Sequence, residues 1–196
     1  KLEGCGCKKN GGGVTRRAAK IEAARKEDST VLYVDAGNFL SGTSEADESE
    51  GAVIVEAYNQ LGATAINVSE RELAYGLDVF RKAKTNSNFS YVSANIRVDE
   101  NAVADPFVIK NVKGARVAIV GLCGMKDVMR YDSARLPARV TIENPLSAAK
   151  RVIPTLAGKA DIIILLSTCG DEMDSLLAQS PGLKIDLIVG GRSYRP

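Results

Sequence analysis

Short apolar stretches of strand length recur along this chain, and between them apolar residues return every three or four positions, the period of a helix face. No other feature narrows the possible folds as far. Val14, Ala18 and Ile21 mark a first helix after the Gly11-Gly12-Gly13 turn, and Val31 to Ala36 reads as a short buried strand. Val53, Ala57 and Leu61, with Ile54 and Tyr58 beside them, form the next helical stripe, ended by Gly62, with a strand predicted from Ala63 to Val68. Leu73, Leu77 and Phe80 predict another helix, and Tyr91 to Ile96 another strand. Phe107 to Lys110 and Ala115 to Leu122 read as a hairpin across residues 111–114. Leu146, Ala149, Ile153 and Leu156 form a helix that Pro154 should kink or shorten. Asp161 to Ser167 and Ile185 to Val189 are apolar throughout, as strands covered on both faces are.

Such alternation is the pattern of an α/β layered sheet, where ligands gather at the carboxyl ends of strands. Asn38, Ser69 to Glu72, Cys123, Thr168 with Cys169, and Gly190 to Tyr194 follow predicted strands, and Cys5 a strand mostly missing from the chain; they should converge on one rim. A chain of 196 residues suits one sizeable core. Its 45% hydrophobic and 26% charged residues, of mixed sign, make that core globular rather than disordered. The net charge of +2, with no basic stripe, gives no reason to expect nucleic acid as a partner. The longest apolar run, Ile162 to Leu166, falls far short of the roughly 20 residues that cross a bilayer.

The chain has no histidine, so no mechanism that needs imidazole is open to it. Its cysteines are Cys5, Cys7, Cys123 and Cys169, too sparse for a disulfide framework and without zinc-ribbon spacing. Cys5 and Cys7 form a CxC pair on a glycine-rich loop with little packing value. Two thiols one residue apart close only a strained disulfide ring, which is easily reduced, and thiolates prefer soft ions. Arg16 and Arg17 read as a solvated helix face.

Seven local phrases stand in order: GGVTRRA (Gly12 to Ala18), VDAGNFLSG (Val34 to Gly42), SERELAYG (Ser69 to Gly76), SANI (Ser93 to Ile96), VAIVGL (Val117 to Leu122), DIIILLSTCG (Asp161 to Gly170) and DLIVGGRSY (Asp186 to Tyr194). Together they resemble the catalytic domain of the 5'-nucleotidase and UDP-sugar hydrolase branch of the metallophosphoesterases. That resemblance implies an α/β fold of four αββα layers with a two-metal site at the strand ends, in a periplasmic or extracellular protein. On it, residues 1–196 read as a single nucleotidase-like domain cut short at both ends.

The family's ligand positions, however, carry other residues here. Its DxH is matched by Cys5-Gly6-Cys7, its bridging aspartate by Asn38, and the asparagine and histidine of GNHE by Glu70 and Arg71. The histidine of LSH becomes Thr168, and those of GGHTH become Arg192 and Tyr194. Two-metal hydrolysis needs carboxylates and imidazoles, so no two-metal centre and no resident cofactor are expected. Cys5, Cys7 and Glu70 remain as ligands for a soft metal only.

The expected replacement is a thiol site. Cys5 and Cys7 form the redox pair, Cys169 and Cys123 supply a resolving thiol or further ligand, and Arg71 and Arg192 favour thiolate or an oxyanion. A redox partner protein or cytochrome fits that chemistry. The GCGCKK phrase is also similar to a cysteine or selenocysteine variant of the family that accompanies selenite and tellurite reduction. The alternative is a pseudoenzyme acting as a binding or structural subunit of an extracellular electron-transfer assembly.

Overall fold

The computed structural model describes residues 13–124 and 140–192. Three parallel strands, β1 (Val34–Asp35), β2 (Ala65–Asn67) and β3 (Ser90–Val92), form one sheet in that order. A second sheet runs β10 (Leu187–Gly190), β9 (Ile162–Ser167), β7 (Ala115–Leu122), β6 (Phe107–Val112). Its members are parallel except for the β6–β7 hairpin. Val92, Val117, Ile119 and Leu166 pack between the two sheets. On the outside of the first sheet lie α3 (Ala52–Gln60) and α4 (Leu77–Thr85), whose Ile54, Tyr58 and Phe80 meet Ile66 and Tyr91. On the outside of the second, Ala148, Val152 and Leu177 of α5 (Pro145–Val152) and α6 (Asp171–Gln179) cover Ala118, Val120, Leu122, Ile163 and Leu165. The result is the expected α/β fold of helix, sheet, sheet, helix.

Because strand side chains alternate in direction, position decides face. Even-numbered residues of β7 and odd-numbered residues of β9 point to α5 and α6, and the others point to the first sheet. The hairpin turn is shorter than residues 111–114. Lys113 (φ 50°) and Gly114 (φ 88°) alone make it, as a primed two-residue turn requires. Pro154 acts as expected: α5 ends at Val152 and tightens into a 3-10 turn over Ile153–Leu156. Asn144 starts α5 by accepting from the N–H groups of Leu146 and Ser147, with Pro145 at the first helical position.

Several boundaries differ from the sequence reading. The helix predicted from Leu73 begins only at Leu77, because residues 70–76 turn at the strand end with Leu73 fully buried. The stretch Tyr91 to Ile96 is split, and Ile96 opens β4 (Ile96–Val98) in a small antiparallel sheet with β5 (Asn101–Ala102) and β8 (Val140–Ile142). The acidic segment 41–50 holds a short helix, α2 (Ser44–Glu48), capped by the Thr43 hydroxyl. Leu187 of β10 is 51% exposed, so that strand is not covered on both faces. Arg17, on α1 (Val14–Glu27), is no solvated surface charge. It reaches the hydroxyls of Tyr33 and Tyr58 and pairs with Asp35 at 3.3 Å. Among the described residues no helix is long and apolar enough to cross a membrane.

Candidate functional site

The ends of β1, β2, β7 and β9 meet on one rim. Beyond β1 the chain turns sharply: Gly37 has φ 98°, and a Cβ there would stand 2.6 Å from the Asn67 carbonyl oxygen. Asn38 follows in the left-handed region at φ 64°. This turn aims the N–H groups of Asn38, Phe39 and Leu40 at the Glu72 carboxylate, at 3.1, 2.9 and 3.4 Å. The Ser69 N–H donates to Glu72 as well, at 2.8 Å, and the Ser69 hydroxyl lies between Glu72 and the Asn38 amide oxygen. Burial raises the Glu72 pKa while these donors act against it. Glu72 therefore fixes the loop that carries Asn38.

Asn67 joins three strands from below, donating to the carbonyls of Ala36 and Leu122. Asn95 does the same for the end of β7, accepting from the Cys123 N–H at 2.9 Å and donating to the Cys123 carbonyl at 2.7 Å. Glu70 is 4% exposed; its Oε1 accepts from Arg192 Nη2 at 2.7 Å, and its buried Oε2 has no hydrogen-bond partner among the described residues. The buried Thr168 hydroxyl also has no full hydrogen bond there. It rests against the Cys123 thiol and draws that pKa down. Arg71 folds away from this point, over Gly42 and toward the Ser41 carbonyl at 3.3 Å.

The two described thiols pack in different clusters, and Cys123 lies within reach of the charge of Cys169. Cys123 continues the inner face of β7 and is buried with Phe39, Leu40, Val68 and Leu73. Cys169 shares its parity with Ser167 and Leu165 and packs on the α5 and α6 side. There the Cys169 N–H donates to Ser167 Oγ at 3.0 Å, and Ser167 donates to Asp174 Oδ1 at 2.5 Å. Burial pushes both thiols up to about 12, and the charges acting most on them are carboxylates: Glu70 on Cys123 and Asp174 on Cys169. Cys123 and Cys169 are thus protonated at neutral pH, opposite to the activation expected of nearby arginines. Cys5, Cys7 and Tyr194 lie outside the described residues.

Among the described residues, those that the resemblance matches to the family's metal positions do not fit a pair of divalent cations. Asn38 offers a neutral amide beside the Ser69 hydroxyl, Thr168 offers a hydroxyl, and Glu70 is bound to a guanidinium. Ser167 with Asp174, and the Glu72 anchor, escaped the sequence reading. The acidic first turn of α6 after Gly170 and the Ser-x-x-Glu spacing of Ser69 and Glu72 were the available signals.

No family model matches the chain. It is 27% identical over 213 residues to a 2',3'-cyclic-nucleotide 2'-phosphodiesterase/3'-nucleotidase of Salmonella typhimurium, covering 93% of this chain and 32% of that protein. A snake venom 5'-nucleotidase of Gloydius brevicauda is 30% identical over 190 residues, with the same coverage of 93% and 32%. Among solved structures, the NAD nucleotidase of Haemophilus influenzae superposes with a TM-score of 0.80 at 25% identity, over 92% of this chain and 32% of that one. The chain spans about a third of the length of the curated relatives it matches. By sequence and by fold, its homologues and structural neighbours are 5'-nucleotidase and 2',3'-cyclic-nucleotide phosphodiesterase members of the metallophosphoesterase family.

Proposed function

We propose that this is a catalytically degenerate nucleotidase-like domain, periplasmic or extracellular, whose strand-end rim serves thiol chemistry rather than phosphoester hydrolysis. The observation that carries the loss of hydrolysis is Asn38. The position that must bridge two cations holds a neutral amide, 2.8 Å from the Ser69 hydroxyl, where a bridge needs a carboxylate. The thiol chemistry rests on the Cys5-Gly6-Cys7 phrase, with Cys169, on the rim, as the third thiol. In this reaction the Cys5 and Cys7 dithiol gives two electrons and two protons to an acceptor disulfide on a redox partner protein and closes as a small strained disulfide. Arg71 and Arg192 are proposed to favour its thiolate form.

Two assays on the purified chain test this. With Mn2+, Mg2+ or Zn2+ added, AMP, UDP-glucose and 2',3'-cyclic AMP should release no phosphate above background. In glutathione buffers of graded potential, mass-tagged thiols should report a two-electron transition that disappears in a Cys5→Ser, Cys7→Ser variant. Metal-dependent phosphate release sinks the first half. A second reading, a binding subunit without thiol turnover, is favoured by the burial of Cys123 and Cys169 in different clusters, which holds both protonated. Absence of any redox transition leaves that reading in front.

A further inference from the structure

We infer that α1 is a latched arm, hinged at Asp28 and held shut by Arg17 and Arg25, which opens without the core. None of its 14 residues is buried, whereas α3, α4 and α5 each bury two or more. Among the described residues, its Val14, Ala18, Ile21 and Ala24 belong to none of the three apolar clusters that fill the interior. A helix held by buried apolar side chains opens only when the core does; one held at the surface opens alone. Local sequence does not secure the N-terminal end either. Gly13 supplies no capping side chain, the first turn holds no acidic residue, and Arg16 and Arg17 near that end oppose the helix dipole.

What docks α1 is polar. Arg17 Nη1 donates to the Tyr33 hydroxyl at 2.9 Å, to Asp35 Oδ2 at 3.3 Å and to the Tyr58 hydroxyl, with its Cζ 5.5 Å from the Tyr58 ring centre. Arg25 donates through Nη1 and Nη2 to the carbonyls of Leu61 and Gly62, each at 2.8 Å. The acceptors are not orphaned when the arginines leave. Asp35 keeps the Tyr58 hydroxyl at 2.7 Å and the Gly37 N–H at 3.0 Å, and the Gly62 carbonyl lies at the surface, where water takes the place of the guanidinium. Asp28, at the other end, stays fixed. Its Oδ1 accepts from the Thr30 N–H at 2.9 Å and the Thr30 hydroxyl at 2.6 Å, and its Oδ2 pairs with Lys113 in the β6–β7 turn at 2.5 Å. At 1.5 Å per residue the opposite end of α1 lies ~20 Å from this hinge and moves farthest. The Cys5-Gly6-Cys7 phrase precedes that moving end in the chain.

Native-state amide hydrogen exchange on the whole chain tests this. A helix of this length is marginal in water by itself, so an undocked α1 loses its own hydrogen bonds and its amides report each opening. In the wild type, the hydrogen-bonded amides of α1 should exchange at least ~100-fold faster than those of β7 and α5, with a shallower dependence on urea because little surface is exposed. The double variant Arg17→Met, Arg25→Met keeps the apolar stems and removes the donors. Its α1 amides should exchange about tenfold faster again, while β7 and α5 change by less than about twofold. Wild-type α1 amides as protected as those of β7 and α5 overturn the inference. So does a variant that leaves α1 exchange unchanged, or that lowers protection in all three elements by one factor. If the variant does not fold, the wild type decides: a urea dependence in α1 as steep as in β7 overturns the arm. No thiol enters the measurement, so this result stands or falls apart from the proposed redox reaction.

Discussion

Replacing Glu72 by glutamine changes one atom of the carboxylate and should destabilise the whole rim. In the wild type both oxygens only accept: Oε1 from the N–H groups of Phe39 and Leu40, Oε2 from those of Asn38 and Ser69 and from the Ser69 hydroxyl. A glutamine must set its NH2 against one of these groups. Turned toward Phe39 and Leu40 it loses bonds of 2.9 and 3.4 Å, and turned the other way it loses 3.1 and 2.8 Å with the serine contact besides. The first orientation is the cheaper, and it leaves two backbone donors unpaired at a cost of ~1–3 kcal/mol each. The longer bond counts for less, and removing a desolvated charge returns part of the loss. A net destabilisation of about 2–4 kcal/mol follows, which for a domain of this size lowers Tm by about 5–15 °C. Thermal unfolding followed by circular dichroism measures it directly. A Tm within about 2 °C of wild type would mean that Glu72 does not hold the Asn38 loop, and the account of the rim would fall.

Three further outcomes are expected. Gly121→Ala places a Cβ 2.4 Å from the Val92 carbonyl and 2.5 Å from Asn67 Oδ1, contacts that backbone cannot relieve, so chemical denaturation should show a loss of ~1–3 kcal/mol or more. Tyr58→Phe removes the hydroxyl that donates to Asp35 at 2.7 Å and accepts from Arg17, and should cost ~1–2 kcal/mol in the same assay. Arg116 beside Asp161 lowers that carboxyl to about 2, so its stabilising contribution is present above the ordinary aspartate range and is lost as pH falls toward 2. The Tm difference between wild type and Asp161→Asn should therefore close on acidification over that window, and a difference that persists at pH 2 would refute the assignment.

What could be read from the sequence was what repeats locally. Strand runs such as Ala115 to Leu122 and Ile162 to Ser167 are β-branched and apolar because both their faces are covered, and they lie where the pattern puts them. The stripe at Val53, Ala57 and Leu61, with Ile54 and Tyr58 beside it, likewise names a real helix, whose buried residues are Ile54, Val55 and Tyr58 with Leu61 at its end. Val53 is 38% exposed. Small apolar residues all round a helix leave its orientation to tertiary packing. The residues 70–76 misled for a related reason: Leu73 has helical spacing to Leu77 and Phe80, but the Asn38 loop recruits Glu72 and bends the backbone before the helix starts. Arg17 was unreadable because its partners, Tyr33, Asp35 and Tyr58, are brought to it only by the fold.

The placement of the thiols shows where sequence order and spatial order part. Cys123 and Cys169 each stand just past a strand end, and β7 and β9 are neighbours in register, with Leu122 opposite Ser167. Counting along the strands makes the two cysteines near neighbours on a rim. Counting faces separates them, since Cys123 carries on the parity of Ile119 and Gly121, and Cys169 that of Ile163, Leu165 and Ser167. Of the two, Cys169 is the partly exposed one. On the proposed thiol function, exchange at this rim would run through Cys169, while Cys123 packs where Asn95 holds the end of β7.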